Sequence, residues 1–139
     1  LCMFSLARVD GHSMDYTFHN GEYVLLQRYQ KPRRFDVVVL NEREKNNGRA
    51  KHIIKRVFGL PGDTIAVIHG NLYINNKRKA EPYLSSAHTK MYKELNWTVH
   101  VPKGHVFVLG DNRDISKDSR IVGSFKTSAI VGVKVLTFG

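Results

Sequence analysis

Along most of the chain, runs rich in Val, Ile, Tyr and Phe are separated by short polar stretches, and within several runs apolar and polar residues alternate. The runs cover residues 23–28, 37–40, 52–58, 64–68, 71–74, 98–101, 105–109 and 131–138. A period of two with β-branched and aromatic enrichment predicts strands. Turn signals fall between them: Asn20-Gly21, Asn47-Gly48, Pro61-Gly62-Asp63, His69-Gly70-Asn71 and Pro102-Lys103-Gly104. Only 85–96 and 124–130 leave room for short helical turns, and neither has a clear apolar face. No repeat, linker or low-complexity tract interrupts the pattern. The expected architecture is an all-β domain of many short strands, barrel-like or built from packed sheets.

Composition bounds the class. The 139 residues, 42% hydrophobic and 24% charged with four prolines, suit one folded domain with a single core. The lone cysteine, Cys2, excludes an internal disulfide and a Cys-rich zinc site. Seven histidines, at 12, 19, 52, 69, 88, 100 and 105, form no HExxH pattern or close ligand pair, so neither a metal nor another cofactor is expected.

The net charge of +10 fits an anionic partner, nucleic acid or a lipid headgroup surface, and equally a plain solvated, well-charged surface. The basic residues are spread along the chain, without a recognition helix, zinc-finger spacing or RNA-binding aromatic motif, so nucleic acid is not expected. No apolar run reaches about 18 residues, and the opening LCMFSLARVDGHSM starts inside what reads as a strand. That start is expected if an upstream segment has been removed.

Three segments carry possible chemistry. The first is Val9-Asp10-Gly11-His12-Ser13-Met14; taken alone, its serine reads as a turn residue. The second, Ile53 to Asp63, sets Lys55-Arg56 inside an apolar run, where a lysine ordinarily snorkels to the surface. The third runs from Val106 through Gly110-Asp111-Asn112-Arg113-Asp114 to Ser116, Asp118, Ser119 and Arg120, a polar stretch after an apolar strand. A serine hydroxyl attacks a carbonyl only when something removes its proton, and a lysine does so only as the neutral amine. Lowering a lysine from 10.4 to ~8 takes about 3 kcal/mol, which burial among Ile53, Ile54, Val57 and Phe58 can supply. Neighbours on a strand face opposite ways, so Lys55 and Arg56 should meet different surroundings.

In this order and spacing the three segments, with Glu81-Pro82-Tyr83 between the second and third, resemble the boxes of bacterial type I signal peptidases from Val9 to Gly132. The resemblance implies Ser13 as nucleophile and Lys55 as general base. It implies that Ser116 orients the amine, that Asp118 and Arg120 brace the loop as an ion pair, and that Arg56 pairs with Asp111. The backbone N–H of Ser13 is the expected oxyanion donor, since Gly11 stands where some relatives carry a second, serine donor. Met14, Val9, Phe18 and Ile53 match residues beside the substrate groove. Tyr16 replaces the family's usual proline, and Ile115, Glu22 and His12 are milder departures. The implied substrates are preproteins with small residues before the cut. The implied location is the outer face of a bacterial cell membrane, with a single-pass anchor absent from this chain.

Other readings remain at this stage. His52 is the rival base on spacing alone, whereas a triad using His12 is sterically implausible beside Ser13. A non-catalytic relative assisting assembly of surface proteins would tend to lack the serine or lysine, which this chain keeps. A self-cleaving repressor would need a DNA-binding domain and its own cleavage site. A basic nucleic-acid-binding β-barrel follows from charge alone.

Overall fold

The computed structural model describes residues 3–15, 17–43, 50–84, 95–114 and 116–138. Cys2, Tyr16, Ile115, the Asn47-Gly48 turn and nearly all of the 85–96 segment lie outside them.

Seven strands form the larger sheet: β1 (Phe4–Arg8), β2 (Tyr23–Gln27), β3 (Val37–Arg43), β4 (Ala50–Gly59), β9 (His105–Leu109), β10 (Phe125–Lys126) and β11 (Ile130–Phe138). Their order is β1-β2-β11-β3-β4-β9-β10. The intervening strands β5 (Thr64–Ile68), β6 (Asn71–Ile74), β7 (Lys77–Lys79) and β8 (Asn96–His100) make a second sheet in the order β7-β6-β5-β8. All described pairings are antiparallel, so the chain is all-β, as its alternation predicts.

The strands expected over 64–68, 71–74 and 105–109 coincide with β5, β6 and β9, and the other expected strands differ by a few residues at their ends. Within 124–130, a 3-10 turn spans Thr127–Ala129. The periodicity does not reveal β7, β10 or the one-turn helix α1 (Ser119–Val122). Lys77-Arg78-Lys79 has no strand character of its own. It joins the sheet because Asn75 and Asn76, both at positive φ, fold it back onto β6.

The unbroken apolar run of β3 reflects burial on both faces. Val37 and Val39 pack with Val9, Met14, Phe18, Val24 and Leu26, while Val38 and Leu40 pack with Val57, Val106, Val108 and Val133. A third cluster joins the sheets, setting Phe58, Phe107 and Leu109 against Ile65, Val67, Leu72 and Ile74. The strands approach closely at Gly59, where an added methyl carbon would stand 2.5 Å from Val101 Cγ2 and 2.9 Å from Phe107 Cβ.

Candidate active site

Lys55 owes its position to strand register. It lies opposite Val38 in β3, so its side chain shares a face with Val38 and Val57. It is only 4% exposed, and its Nζ donates to Ser116 Oγ at 3.1 Å. Burial lowers the ammonium from an ordinary 10.5 to about 8, while Asp118 and Glu42 partly oppose the fall by favouring the charge.

The next residue has the opposite environment. Arg56 binds Asp111 in bidentate fashion, Nε to Oδ1 at 3.0 Å and Nη2 to Oδ2 at 2.8 Å. Its Nη1 donates to the Phe35 carbonyl, and its guanidinium lies 4.1 Å from the centroid of the Tyr83 ring. Arg56 is therefore a satisfied structural cation; Lys55 makes no ion pair among the described residues.

Ser13 sits in the loop between β1 and β2. The segment after β9 holds that loop at four points. Asn112 N–H donates to the Ser13 carbonyl at 2.9 Å, and Asn112 Nδ2 to the His12 carbonyl at 3.0 Å. Asp111 N–H donates to Met14 Sδ at 3.3 Å, and the Thr17 hydroxyl donates to the Asp111 carboxylate. Gly110 permits the junction: an added methyl carbon there would lie 2.1 Å from Ser116 Oγ and 2.6 Å from the Ser13 carbonyl oxygen. A side chain at 110 would push apart the groups that meet around the site.

The Ser116 loop is braced from below. Asp118 is fully buried and receives both Arg120 Nε and Nη2 at 2.8 Å, as well as Gly110 N–H at 2.9 Å. Burial alone would raise its carboxyl, but Arg120 and these backbone donors hold it below the ordinary range. Arg120 also reaches the Arg113 carbonyl at 2.9 Å, and Asp118 caps α1 through Arg120 N–H.

Ser13 and Lys55 open onto one groove of about 1870 Å³. Val9 and Ile53 line it, whereas Met14 and Phe18 lie in the buried cluster with Val9 and are absent from its lining. Lys55 bonds to Ser116 in this arrangement, and no hydrogen bond joins it to Ser13 among the described residues. His52 is exposed on the groove wall and, three positions from Lys55 along β4, faces the other way. Gly11 donates its N–H to Asn20 Oδ1 at 2.9 Å.

Reading residue types did not single out Asn112, Thr17, Gly110, or the buried Arg113–Glu81 ion pair at 2.7 Å. Arg113 and Glu81 stood within the segments that carried the resemblance. Asn112 stood there too, but neither its contacts nor those of Thr17 were readable, because their partners are about a hundred residues away in the chain.

An all-β scaffold with a serine loop and a buried lysine on one groove has the makeup of a serine peptidase. The chain belongs to the family described as signal peptidase, peptidase S26, which it matches over residues 1–138. It is 35% identical to "Signal peptidase I" of Streptococcus pneumoniae, over 93% of this chain and 79% of that one. It is 41% identical to "Signal peptidase I P" of Bacillus subtilis subsp. natto, over 94% and 74%. A solved signal peptidase I from Enterococcus faecalis shares the fold at a TM-score of 0.63 and 37% identity, covering 75% of this chain and 97% of that one. The protein is a serine endopeptidase that cleaves signal peptides from preproteins.

Proposed function

We propose that Ser13 is the nucleophile and Lys55 the general base of this cleavage. The observation that carries the reading is a 4%-exposed lysine whose acidity is raised by burial to about 8, opening onto the same groove as a loop serine. At pH 7 about one-tenth of such a lysine is neutral, against well under one in a thousand for an unperturbed one. With the preprotein seated, neutral Lys55 Nζ takes the proton from Ser13 Oγ, and the oxygen attacks the carbonyl carbon before the cut. The resulting oxyanion is met by Ser13 N–H, which has no acceptor among the described residues. The Lys55 ammonium then protonates the departing amine, leaving an acyl-serine and a neutral lysine. Lys55 next takes a proton from water, whose oxygen attacks the acyl carbon, and returns it to the departing Ser13 Oγ as the signal peptide is released.

In this reading Ser116 steers Nζ, while Asp118–Arg120 and Arg56–Asp111 keep the two loops in place. Val9 and Ile53 shape the groove for small side chains before the cut, with Met14 and Phe18 as the packing beneath. The working location is the outer surface of a bacterial cell membrane. Exposed Leu6 and Leu136 flank Leu25 in a row across β1, β2 and β11, and exposed Tyr23 stands opposite exposed Phe138. Together with the +10 charge, these residues suit an anionic lipid surface. No helix of the described residues is long and apolar enough to cross a membrane.

The test is incubation of the protein and its Ser13→Ala and Lys55→Ala variants with a preprotein ending its leader in Ala-x-Ala, in detergent or lipid. Both variants should keep the fold and lose cleavage, and full activity in either overturns the assignment. A pH–rate profile rising near 8 supports Lys55; one governed only at the ordinary range of an imidazole would assign the base to a histidine instead.

A further inference from the structure

Asn112 plays none of the roles assigned above, yet it holds both peptide units that flank Ser13. Its backbone N–H donates to the Ser13 carbonyl at 2.9 Å, and its Nδ2 to the His12 carbonyl at 3.0 Å. The residue is 2% exposed, and its Oδ1 has no partner among the described residues, so the side chain contributes here as a donor. The contact also decides which way the amide points, because flipping it would set oxygen against the His12 oxygen.

The His12 carbonyl belongs to the peptide unit that carries the Ser13 N–H. In a trans peptide these two groups point in opposite directions. His12 and Ser13 line the groove and Asn112 does not, so drawing the carbonyl toward Asn112 turns the N–H to the groove side. A hydrogen bond on the carbonyl also polarises the amide and strengthens its N–H as a donor.

We propose that Asn112 is a positioning residue for the oxyanion: its side-chain amide, by holding the His12 carbonyl, aims the Ser13 N–H at the oxygen that gains charge. The proposal rests on Ser13 being the nucleophile.

The experiment uses Asn112→Asp, which keeps the volume and backbone donor but replaces Nδ2 by oxygen, with Asn112→Ala beside it. The kcat should fall about 10- to 100-fold with KM nearly unchanged, since a donor is misaimed rather than removed. In the neutral Asn112→Ala variant the acid limb set by Lys55 should stay in place. Affinity for a peptide aldehyde ending in Ala-x-Ala, which forms a tetrahedral adduct on Ser13, should fall in step with kcat. Affinity for the same peptide ending in an amide should not. Equal losses for both peptides, or a kcat loss with aldehyde affinity intact, would overturn the proposal. Should either variant unfold, exchange of the Asn112 side-chain amide protons in the unmutated protein decides: slow exchange, free and inhibited, supports the bond, and fast exchange refutes it. Cleavage surviving in Ser13→Ala would sink the nucleophile assignment itself. Loss in Ser13→Ala with full kcat in both Asn112 variants would sink only the role of Asn112.

Discussion

In the four-stranded sheet the buried strand positions are Ile65, Val67, Leu72 and Ile74, and the charges of Lys77 and Arg78 stay exposed. In the seven-stranded sheet β4 buries Val57 and Phe58 in succession, in two different clusters, and it buries Lys55 as well. Just beyond β9, Asp111 and Asp118 are wholly buried as well. Burying an aliphatic side chain stabilises a fold by roughly 1.5–3 kcal/mol. Holding Lys55 with a value near 8 instead of 10.5 costs about 3 kcal/mol while the amine is charged, the gain from one or two such side chains. The described interior of one sheet is aliphatic; the other gives up part of that stabilisation to bury an amine.

The largest expected effect tests that contrast directly. Lys55→Met should cut cleavage by at least about 10³-fold. It should also stabilise the fold at pH 7, by up to about 3 kcal/mol. The sign follows from linkage: the folded-state value of about 8 lies below the unfolded 10.5, so the folded protein binds fewer protons between those limits. Wild-type stability therefore rises from pH 8 to 10.5, and the advantage of the Met variant fades across that window. Denaturant melts at pH 7 and 10 would show it, and a Met variant clearly weaker at pH 7 breaks the comparison.

In the other sheet, Leu72→Ala should cost 2–5 kcal/mol in the same melts, because Leu72 is a buried member of the junction cluster. Its kcat per folded molecule should stay at the wild-type value. A changed kcat would mean that the small sheet takes part in shaping the site.

Two glycines divide in the same way. Gly110→Ala should lower kcat about 10- to 100-fold, since the methyl meets Ser116 Oγ and the Ser13 carbonyl. Gly59→Ala should cost about 1–3 kcal/mol of stability with kcat kept, since its methyl meets only the junction around Val101 and Phe107. Finally, Glu42→Gln should move the acid limb of the kcat/KM profile to lower pH, because the lost carboxylate favours protonated Lys55. An unmoved limb would separate Glu42 from the electrostatics of the site.

Much of the fold was legible because a strand with one buried face must alternate, and β5, β6 and β9 fall on the runs that show it. What stayed hidden was imposed by neighbours. β7 is a strand because an Asn75-Asn76 turn lays Lys77-Arg78-Lys79 against β6, and β10 because Phe125 and Lys126 meet β9. The short α1 depends on the Asp118 cap, whose carboxylate also serves Arg120 and Gly110.

The candidate site divides along the same line. By itself the sequence determined the all-β class, the three chemical segments, and the placing of Lys55 and Arg56 on opposite faces, since each depends on local periodicity or residue type. The tertiary structure decided which buried charge has a partner. Arg56 finds Asp111 across 55 residues of chain, while among the described residues Lys55 finds only the neutral Ser116 hydroxyl, 61 residues away. It also decided that Asn112 reaches back 100 residues to grip the His12 carbonyl. Such contacts depend on how loops from distant strands are brought together, and no pattern along the chain encodes that distance.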